Sequence, residues 1–280
     1  MPTALLIGGT GTLGNALTPK LLALGYEVTI LSREEIKQKK MMAEYPELKY
    51  ALGDIRDYDS LEKHCYLKDV VFHLAAMKHV DMAEANLNEC VKINLLGTMN
   101  VIKACRDAGA AVFSSTDKAV LPINAYGMCK ALSERLWFDA GEQFSVFRWG
   151  NVIGSRGSVL HSFVNSLKAE RKVYITSMEM SRFWIHIDDA AHYMINNFKF
   201  SNHGQPYIPQ MKAARIVDLA RATANYLGIN DYAVERIPIR AGEKIHEWLD
   251  YHDPETEWKS STATQYSDEE LARLVERTLR

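Results

Sequence analysis

Short apolar runs alternate with amphipathic stretches over the first 150 residues of the chain. The runs TALLIGG, YEVTILSR, LKYALGD, DVVFHLAA, AAVFSST and FSVFRWG are typical of strands buried on both faces. Helical spacing of apolar residues predicts helices between them, including one long helix from about Asp81 to Ala108 and another over 125–140. The alternation predicts an α/β fold, a Rossmann-type doubly wound parallel sheet covered by helices on both faces.

This pattern ends at Gly150. Glycine-rich loops, short strands and shorter helices follow, and they predict a small, discontinuous C-terminal lobe. We therefore expect a first domain over 1–150, to which part of 180–210 returns, and a second lobe made mainly of 151–280. Near the end, SDEELARLVERTL predicts an amphipathic helix that begins with Ser267 and Glu270 in a capping box.

Composition and charge narrow the class of protein. A content of 47% hydrophobic and 24% charged residues is that of a globular protein with a core, and a net charge of −2 suggests neither a nucleic-acid nor a membrane partner. The four cysteines lack CxxC or metal-type spacing, so we expect reduced thiols and no metal site. Without a secretory leader or a run long enough to span a bilayer, the expected location is cytoplasmic.

Three glycines with GxxGxxG spacing, Gly8, Gly11 and Gly14, separate the first strand from the first helix. Glycines at such a turn let the backbone approach a pyrophosphate, which sits at the positive N-terminus of the helix. Ordinary turns also use glycine, but the strand–loop–helix setting favours a dinucleotide cofactor. The loop residues expected to contact it are Gly8, Thr10, Gly11, Thr12, Leu13 and Gly14.

The end of the second strand discriminates between the two nicotinamide cofactors. NAD-binding chains usually place an acid there for the ribose hydroxyls, whereas this chain has Ser32 and Arg33, with Lys37 one turn later. A hydroxyl and two cations suit a 2′-phosphate, so the sequence predicts NADP. The alternative is that both cations belong to a solvated helix start. Asp54, after the third strand, is placed to meet the adenine or to cap the next turn.

Tyr126 and Lys130 lie four residues apart on a predicted helix and so share one face. A phenol titrates at about pH 10, too high for a base at neutral pH, and we expect the neighbouring cation to lower that pKa. Thr116 ends the fifth strand, at the sheet edge where ligands bind in such folds. These residues together predict a site that oxidises a substrate alcohol.

The phosphate loop, the Thr–Tyr–Lys spacing and the second lobe resemble the extended short-chain dehydrogenase/reductase family. Within it, SSTDKAVLPINAYGMCK, HLAAMKHVDMAEAN, RWGNVIGSRGSV, MSRFWI and RAGEKIHE resemble segments of the inverting UDP-N-acetylglucosamine 4,6-dehydratases, in the same order. The resemblance runs from the first strand to about residue 250. It implies a hydro-lyase that dehydrates a UDP-N-acetylhexosamine with inversion at carbon 5, for surface-glycan biosynthesis, using NADP that stays bound and is recycled.

The resemblance implies five catalytic residues. Tyr126 takes the proton of the 4-hydroxyl, Lys118 removes the hydrogen on carbon 5, and Asp117 protonates the departing 6-hydroxyl, although the spacing does not decide which of the last two does which step. As a base, Lys118 needs a depressed pKa, which burial beside Lys130 and the cofactor is expected to give. The alternative for this pair is a surface ion pair of little value. The catalytic set is Thr116, Asp117, Lys118, Tyr126 and Lys130.

The same resemblance implies the remaining contacts. The loop GNVIGSRGSV would meet the diphosphate of the nucleotide sugar, because glycines allow close approach and the guanidinium of Arg156 suits phosphate oxygens. Arg182, Arg240 and Glu243 would form other walls of the UDP site, although any one Arg could instead be a structural ion pair. The substrate set is Met77, Asn151, Arg156, Gly157, Ser158, Val159, Arg182, Arg240 and Glu243, and the further cofactor set is Ile55, Leu74, Ala75, Lys78, Asn94 and Val152, with Tyr126 and Lys130.

A homo-oligomer, dimer or higher, is also implied, with the helices predicted over 81–108 and 125–140 between subunits. Two other functions stay open at this point. An epimerase or reductase of the same superfamily would stop after oxidation at carbon 4, and Asp117 and Lys118 argue against it. A non-catalytic NADP sensor usually lacks the Tyr or the Lys, and this chain has both.

Overall fold

The computed structural model describes residues 1–199, 204–251 and 258–280. Six parallel strands form one sheet in the order β3-β2-β1-β4-β5-β6. Each strand lies within one of the predicted apolar runs, which confirms the Rossmann-type parallel sheet. The strands are β1 Thr3–Ile7, β2 Glu27–Ser32, β3 Lys49–Leu52, β4 Val70–His73, β5 Ala111–Thr116 and β6 Phe144–Trp149.

Both faces of this sheet are covered, as the near-continuous apolar strands require. Along β1, Ala4 and Leu6 belong to one core, with α1, α2 and α9, whereas Leu5 and Ile7 belong to the other, with α3, α6 and α7. The segment of α9 thus returns from the second half of the chain to pack on the sheet. These helices are α1 Thr12–Ala23, α2 Glu35–Glu44, α3 Tyr58–Cys65, α6 Gly97–Ala104, α7 Ala125–Asp139 and α9 Ile187–Asn197.

The prediction of one long helix from Asp81 to Ala108 is wrong in detail. The chain instead forms α4 Val80–Ala85, α5 Leu87–Val91 and a π-helical turn over Lys92–Leu96 that leads into α6, which ends before Ala108. Between α4 and α5 the backbone leaves the helical region (φ −135°, ψ 58° at the shared capping residue). A π turn widens the helical ladder and often marks a functional site.

The second lobe has its own sheets and core. Strands β7 Asn151–Ile153, β9 Ser181–His186 and β10 Lys212–Arg215 form a sheet in the order β10-β9-β7, and β8 Lys172–Ile175 pairs with β11 Ala233–Arg236. Helices α8 Val159–Glu170, α10 Ile216–Tyr226 and α11 Asp268–Leu279 share a core with β7, β8, β9 and β10. The predicted capping box is confirmed: Ser267 and Glu270 exchange both backbone-to-side-chain hydrogen bonds.

The described residues were compared with the requirements of a membrane-spanning helix and of a metal site. None of their helices combines the length and the apolar character needed to cross a bilayer. Nor do these residues hold a group of three or more His, Cys, Asp or Glu side chains arranged to bind a metal ion.

One buried ion pair ties the sheet to α7 and to the chain beyond β11. On β6, Arg148 donates from Nε and Nη2 to the two carboxylate oxygens of Glu134, at 3.1 and 2.6 Å, and from Nη1 to the carbonyl oxygen of Leu249, at 2.8 Å. The side chains of both partners are less than 10% exposed. Removing one partner of such a pair leaves an uncompensated buried charge.

We therefore predict that Arg148→Met lowers the free energy of unfolding by about 3–5 kcal/mol, because Glu134 then stays buried without its counter-ion. Urea denaturation followed by circular dichroism measures this loss. The matched control is Lys172→Met, which breaks the exposed pair with Glu235 and should leave the denaturation midpoint unchanged. Equal midpoints for wild type and Arg148→Met would contradict the prediction.

Candidate active site

The loop between β1 and α1 is shaped to admit a pyrophosphate. Gly8 has φ +79°, and a Cβ there would lie 2.8 Å from the backbone of Ala75, while a Cβ on Gly14 would lie 2.1 Å from the carbonyl oxygen of Gly9. At the N-cap, Gly11 makes no side-chain hydrogen bond to the first backbone amides of α1. Those amides suit an anion, so the residues present fit the diphosphate of a dinucleotide cofactor.

The glycine-rich loop after β6 reaches this phosphate loop. Arg156 donates a hydrogen bond from its guanidinium to the carbonyl oxygen of Thr10, and its backbone N lies 3.4 Å from Thr12 Oγ1. Lys78 Nζ donates to the carbonyl oxygen of Arg156 at 2.7 Å. Arg156 was expected to bind the substrate. In the structure it contacts the phosphate loop instead.

The residues expected to select NADP have partners within the chain. Ser32 Oγ accepts from Gln38 Nε2 at 3.0 Å, and Lys37 forms an ion pair with the acid three residues before it. Arg33 lies 3.6 Å from Asp54, with 54% of its side chain exposed. Arg33 and Asp54 thus meet beyond the ends of β2 and β3, and Arg33 is the most solvent-accessible of the three candidates for a 2′-phosphate.

The side chain of Asn94 forms hydrogen bonds with the backbone and does not present a polar group at the surface. Its side chain is buried in the π turn, accepts from the backbone N of Met77 at 2.8 Å and donates to the carbonyl oxygen of the same residue at 2.9 Å. Both polar atoms of the amide are therefore used within the protein. Three further expected cofactor residues lie close to the phosphate loop or to the π-helical segment: Leu74, whose N binds the carbonyl oxygen of Ile7; Ala75, beside Gly8; and Ile55, beside Gly97.

The predicted catalytic residues converge at the carboxyl end of β5. Thr116 Oγ1 donates to Asp117 Oδ1 at 3.0 Å, within a short 3₁₀ turn over Asp117–Ala119. The first turn of α7 carries Tyr126 and packs directly on this 3₁₀ turn. The contact is so close that a Cβ on Gly127 would lie 2.2 Å from the carbonyl oxygen of Lys118. Tyr126 itself is only 8% exposed. The structure thus brings the whole catalytic set to one buried edge.

Burial dominates the titration of the Tyr–Lys pair. It raises the pKa of Tyr126 to about 12, against the charge of Lys118 and a hydrogen bond with Thr116, which both lower it. Burial also lowers the pKa of Lys130 to about 7, and its Nζ donates to the carbonyl oxygen of Ser114 at 2.6 Å. In the free protein, the cation that lowers the pKa of the phenol is Lys118 and not Lys130. The expectation for Lys130, which includes the charge of a bound nicotinamide, stays a prediction.

Lys118 lies between two acidic side chains. Its Nζ lies 3.0 Å from Asp117 Oδ1 and 3.4 Å from Glu247 Oε1, and 3.4 Å from Asn151 Oδ1. Burial alone would lower the pKa of Lys118, but the two carboxylates outweigh it and raise that pKa. The expected depressed pKa is therefore wrong. The surface-pair alternative is also wrong, since Asp117 is fully buried and the Lys118 side chain is 19% exposed.

Asp117 has the opposite character. Burial raises the pKa of this carboxyl, the charge of Glu247 adds to the effect, and the ammonium of Lys118 opposes it. Within the described residues, Oδ2 of Asp117 is buried and receives no hydrogen bond. An ionised oxygen without a donor is costly in such a place, so Asp117 is suited to hold a proton and to give it away.

Lys244 and Glu247 were not predicted from the sequence as site residues, although both lie in the segment RAGEKIHE. Lys244 Nζ donates to the carbonyl oxygen of Val120 at 2.7 Å and lies 3.2 Å from Glu247 Oε2. Glu247 is 2% exposed. The only available signal was a lysine and a glutamate three residues apart in a segment without amphipathic periodicity. That pattern does not reveal burial, which depends on how the second lobe packs on the catalytic turn.

The guanidinium of Arg182 holds this segment in place. It donates to the carbonyl oxygens of Lys244 and Ile245, at 2.8 and 3.0 Å, and lies 4.0 Å from Glu243. Arg240 is exposed on the same segment, with its backbone N 3.4 Å from Glu243 Oε2. Of the other expected contacts, Gly157 has φ +71° beside His79, Ser158 and Val159 begin α8, and Asn151 and Val152 lie on β7.

The chain matches known proteins over most of its length. Residues 4–267 match the model of a family described as polysaccharide biosynthesis protein. A UDP-N-acetylglucosamine 4,6-dehydratase (inverting) of Campylobacter jejuni subsp. jejuni is 40% identical over 258 residues, which cover 87% of this chain and 75% of that relative. A UDP-glucose 4-epimerase of Rickettsia rickettsii is 36% identical, over 88% of this chain and 77% of that relative.

A solved structure also matches this chain over nearly its whole length. Pen from Bacillus thuringiensis superposes with a TM-score of 0.92 at 32% identity, covering 99% of this chain and 98% of that one. With the parallel sheet, the glycine-rich loop and the Thr–Tyr–Lys site, these matches show that the chain belongs to the polysaccharide biosynthesis protein family of extended short-chain dehydrogenases/reductases.

Proposed function

We propose that this protein is an NADP-dependent 4,6-dehydratase that acts on UDP-N-acetylglucosamine and inverts carbon 5, in the biosynthesis of a surface glycan. The observation that carries the proposal is the buried pair of Asp117 and Lys118 beside Tyr126. Oxidation at carbon 4 needs a Thr–Tyr–Lys set and no further ionisable pair. The 40% identity with the Campylobacter jejuni dehydratase supports the same activity.

The first step is oxidation of the sugar at carbon 4. The loop of Gly8, Gly11 and Gly14 would hold a nicotinamide cofactor, which would supply the acceptor for the hydride from carbon 4 and its source for carbon 6. Tyr126 accepts the proton of the 4-hydroxyl, and Thr116 helps to hold that hydroxyl. Since burial raises the pKa of Tyr126 to about 12 in the free protein, the phenol needs nearby positive charge, of which Lys118 supplies a part.

The second step is the loss of water. The 4-ketone acidifies the hydrogen on carbon 5; when that proton leaves, its electron pair forms the carbon 5–carbon 6 double bond and the carbon 6–oxygen bond breaks. Asp117 gives its proton to the departing hydroxyl, which leaves as water. Lys118 can take the carbon 5 proton only after its own proton has moved to the ionised carboxylate of Glu247, whose Oε1 lies 3.4 Å from its Nζ.

We propose that substrate recognition uses the second lobe. The amides of Gly157 and Val159, at the start of α8, are suited to the diphosphate, and Arg240 has an exposed side chain for the same ligand. The donors of Arg182 are taken up by carbonyl oxygens, so its role is to hold the segment that carries Glu243.

The second candidate function is a UDP-sugar 4-epimerase, because epimerases with 36% identity share most of this chain. The two activities differ in mass balance. An epimerase leaves the mass of the UDP-sugar unchanged, whereas a dehydratase removes one water.

We predict that the purified protein with NADP and UDP-N-acetylglucosamine gives a product lighter by one water. Asp117→Asn should slow water loss by roughly 10²–10⁴-fold, because a general acid contributes about that factor, while oxidation at carbon 4 continues. Mass spectrometry measures the product, and absorbance of the reduced cofactor measures the oxidation. An unchanged mass with inversion at carbon 4 would replace this proposal by the epimerase.

We further predict that NADP is preferred to NAD because Arg33 contacts the 2′-phosphate. Arg33→Ala should weaken NADP binding roughly ten- to hundredfold, since a charge-assisted hydrogen bond contributes about 1.5–3 kcal/mol, and should leave NAD binding unchanged. Isothermal titration calorimetry of both cofactors measures the difference. An equal loss for the two cofactors would show that Arg33 does not read the phosphate.

Finally, we propose a homodimer formed by α4 to α7. Several large apolar side chains on these helices are exposed, including Leu96, Met99, Met128 and Leu132, and exposed apolar clusters mark interaction sites. Light scattering should give twice the chain mass of 31.7 kDa for the wild type and for Leu24→Glu, whose exposed leucine ends α1. Leu132→Glu should be monomeric, and a monomeric wild type would contradict the proposal.

A further inference from the structure

Two buried carboxyl groups flank the ammonium of Lys118, and a second ammonium, that of Lys244, contacts Glu247. Asp117 and Glu247 come from opposite lobes, and both contact Lys118 Nζ, at 3.0 and 3.4 Å. Asp117 is fully buried and Glu247 is 2% exposed. A buried ammonium needs one carboxylate as its counter-ion, and ionising both acids at such close range is costly because like charges repel in a low dielectric.

The surroundings decide which of the two carboxylates is ionised. Glu247 faces Lys118, and its Oε2 lies 3.2 Å from Lys244 Nζ. The charge of Arg182 also acts on it, and together these three cations lower its pKa in spite of burial. The backbone N of Glu247 donates to Ser260 Oγ at 2.9 Å, which holds the backbone at this residue.

Asp117 contacts one cation, whereas Glu247 contacts two. Oδ1 of Asp117 accepts from Thr116 and Lys118, and its Oδ2, like Oε2 of Glu247, receives no hydrogen bond from the described residues. The charged and titratable groups that act on it are Lys118 on its own turn, Glu247 from the second lobe, Arg182 from β9 and Tyr126 from α7. Burial and the charge of Glu247 both raise the pKa of Asp117.

We infer that Glu247 is a positioning residue of the reaction: as the ionised counter-ion of Lys118, it allows Asp117 to stay protonated as the proton donor. The inference rests on the proposed dehydratase for its role in catalysis, but the charge arrangement itself needs no substrate. In the elimination, the proton of Asp117 goes to the departing 6-hydroxyl as the carbon 6–oxygen bond breaks. If Glu247 were neutral, Lys118 would draw Asp117 into its ionised form and the donor would be lost.

The test is a carbon-13 NMR titration of the Asp117 carboxyl in the full chain with NADP bound and no substrate. The signal is assigned by its absence in Asp117→Asn. In Glu247→Gln, which keeps the shape and removes the charge, the acid dissociation constant of Asp117 should rise about tenfold, a midpoint about one pH unit lower. Glu247→Asp, which keeps the charge, should give a midpoint between those of the wild type and Glu247→Gln.

A matched control separates charge from structure. Ser260→Ala removes the hydrogen bond to the backbone of Glu247 and leaves every charge in place. It should lower the melting temperature without moving the Asp117 midpoint. The inference is overturned if Glu247→Gln leaves that midpoint unchanged, or if Ser260→Ala moves it as far as Glu247→Gln does.

Turnover provides a second readout. In Glu247→Gln, kcat at alkaline pH should fall roughly tenfold, less than the loss of a general acid, and its alkaline limb should move to lower pH because Asp117 then ionises earlier. KM should stay within about threefold, since Glu247 acts through Lys118 rather than on the sugar. If the wild type forms no dehydrated product, the proposed function fails, and the NMR titration still decides the role of Glu247.

Discussion

The cost of burying charge at the end of β5 organises this active site. Asp117 and Glu247 are buried and Lys118 is mostly buried. An isolated charge is unstable in such surroundings. The site resolves this by distributing the charges: Glu247 is shared by Lys118 and Lys244, while the carboxyl of Asp117 has a raised pKa. One acid is therefore ionised and the other is a proton donor.

This arrangement depends on contact between the two lobes. Lys244 and Glu247 reach the catalytic turn because the segment that carries them is held by Arg182 and by the side chain of Asn124, whose Nδ2 donates to the carbonyl oxygen of Gly242 at 2.8 Å. The loop with Arg156 makes a similar bridge to the phosphate loop. The second lobe thus completes the catalytic and cofactor sites as well as carrying the predicted UDP site.

Most of the fold was predictable because its signals are local. Strands buried on both faces leave continuous apolar runs, and the helix over Ala125–Asp139 follows from apolar spacing. The break near Asn86 and the π turn around Asn94 were not predictable, because the turn is tied to a contact with Met77, 17 residues away in sequence. The candidate catalytic residues follow from motifs in the sequence. The charge of Lys118, in contrast, depends on Glu247, which only the packing of the lobes brings near.

This buried charge cluster is proposed to perform an elimination at carbons 5 and 6 of the sugar. A crystal structure of the Tyr126→Phe protein with NADP and UDP-N-acetylglucosamine tests it most directly, because the variant holds the substrate without turnover. We expect the 6-hydroxyl to lie within hydrogen-bond distance of the Asp117 carboxyl and carbon 5 to lie next to Lys118 Nζ. A sugar whose carbon 6 faces away from both residues would contradict it.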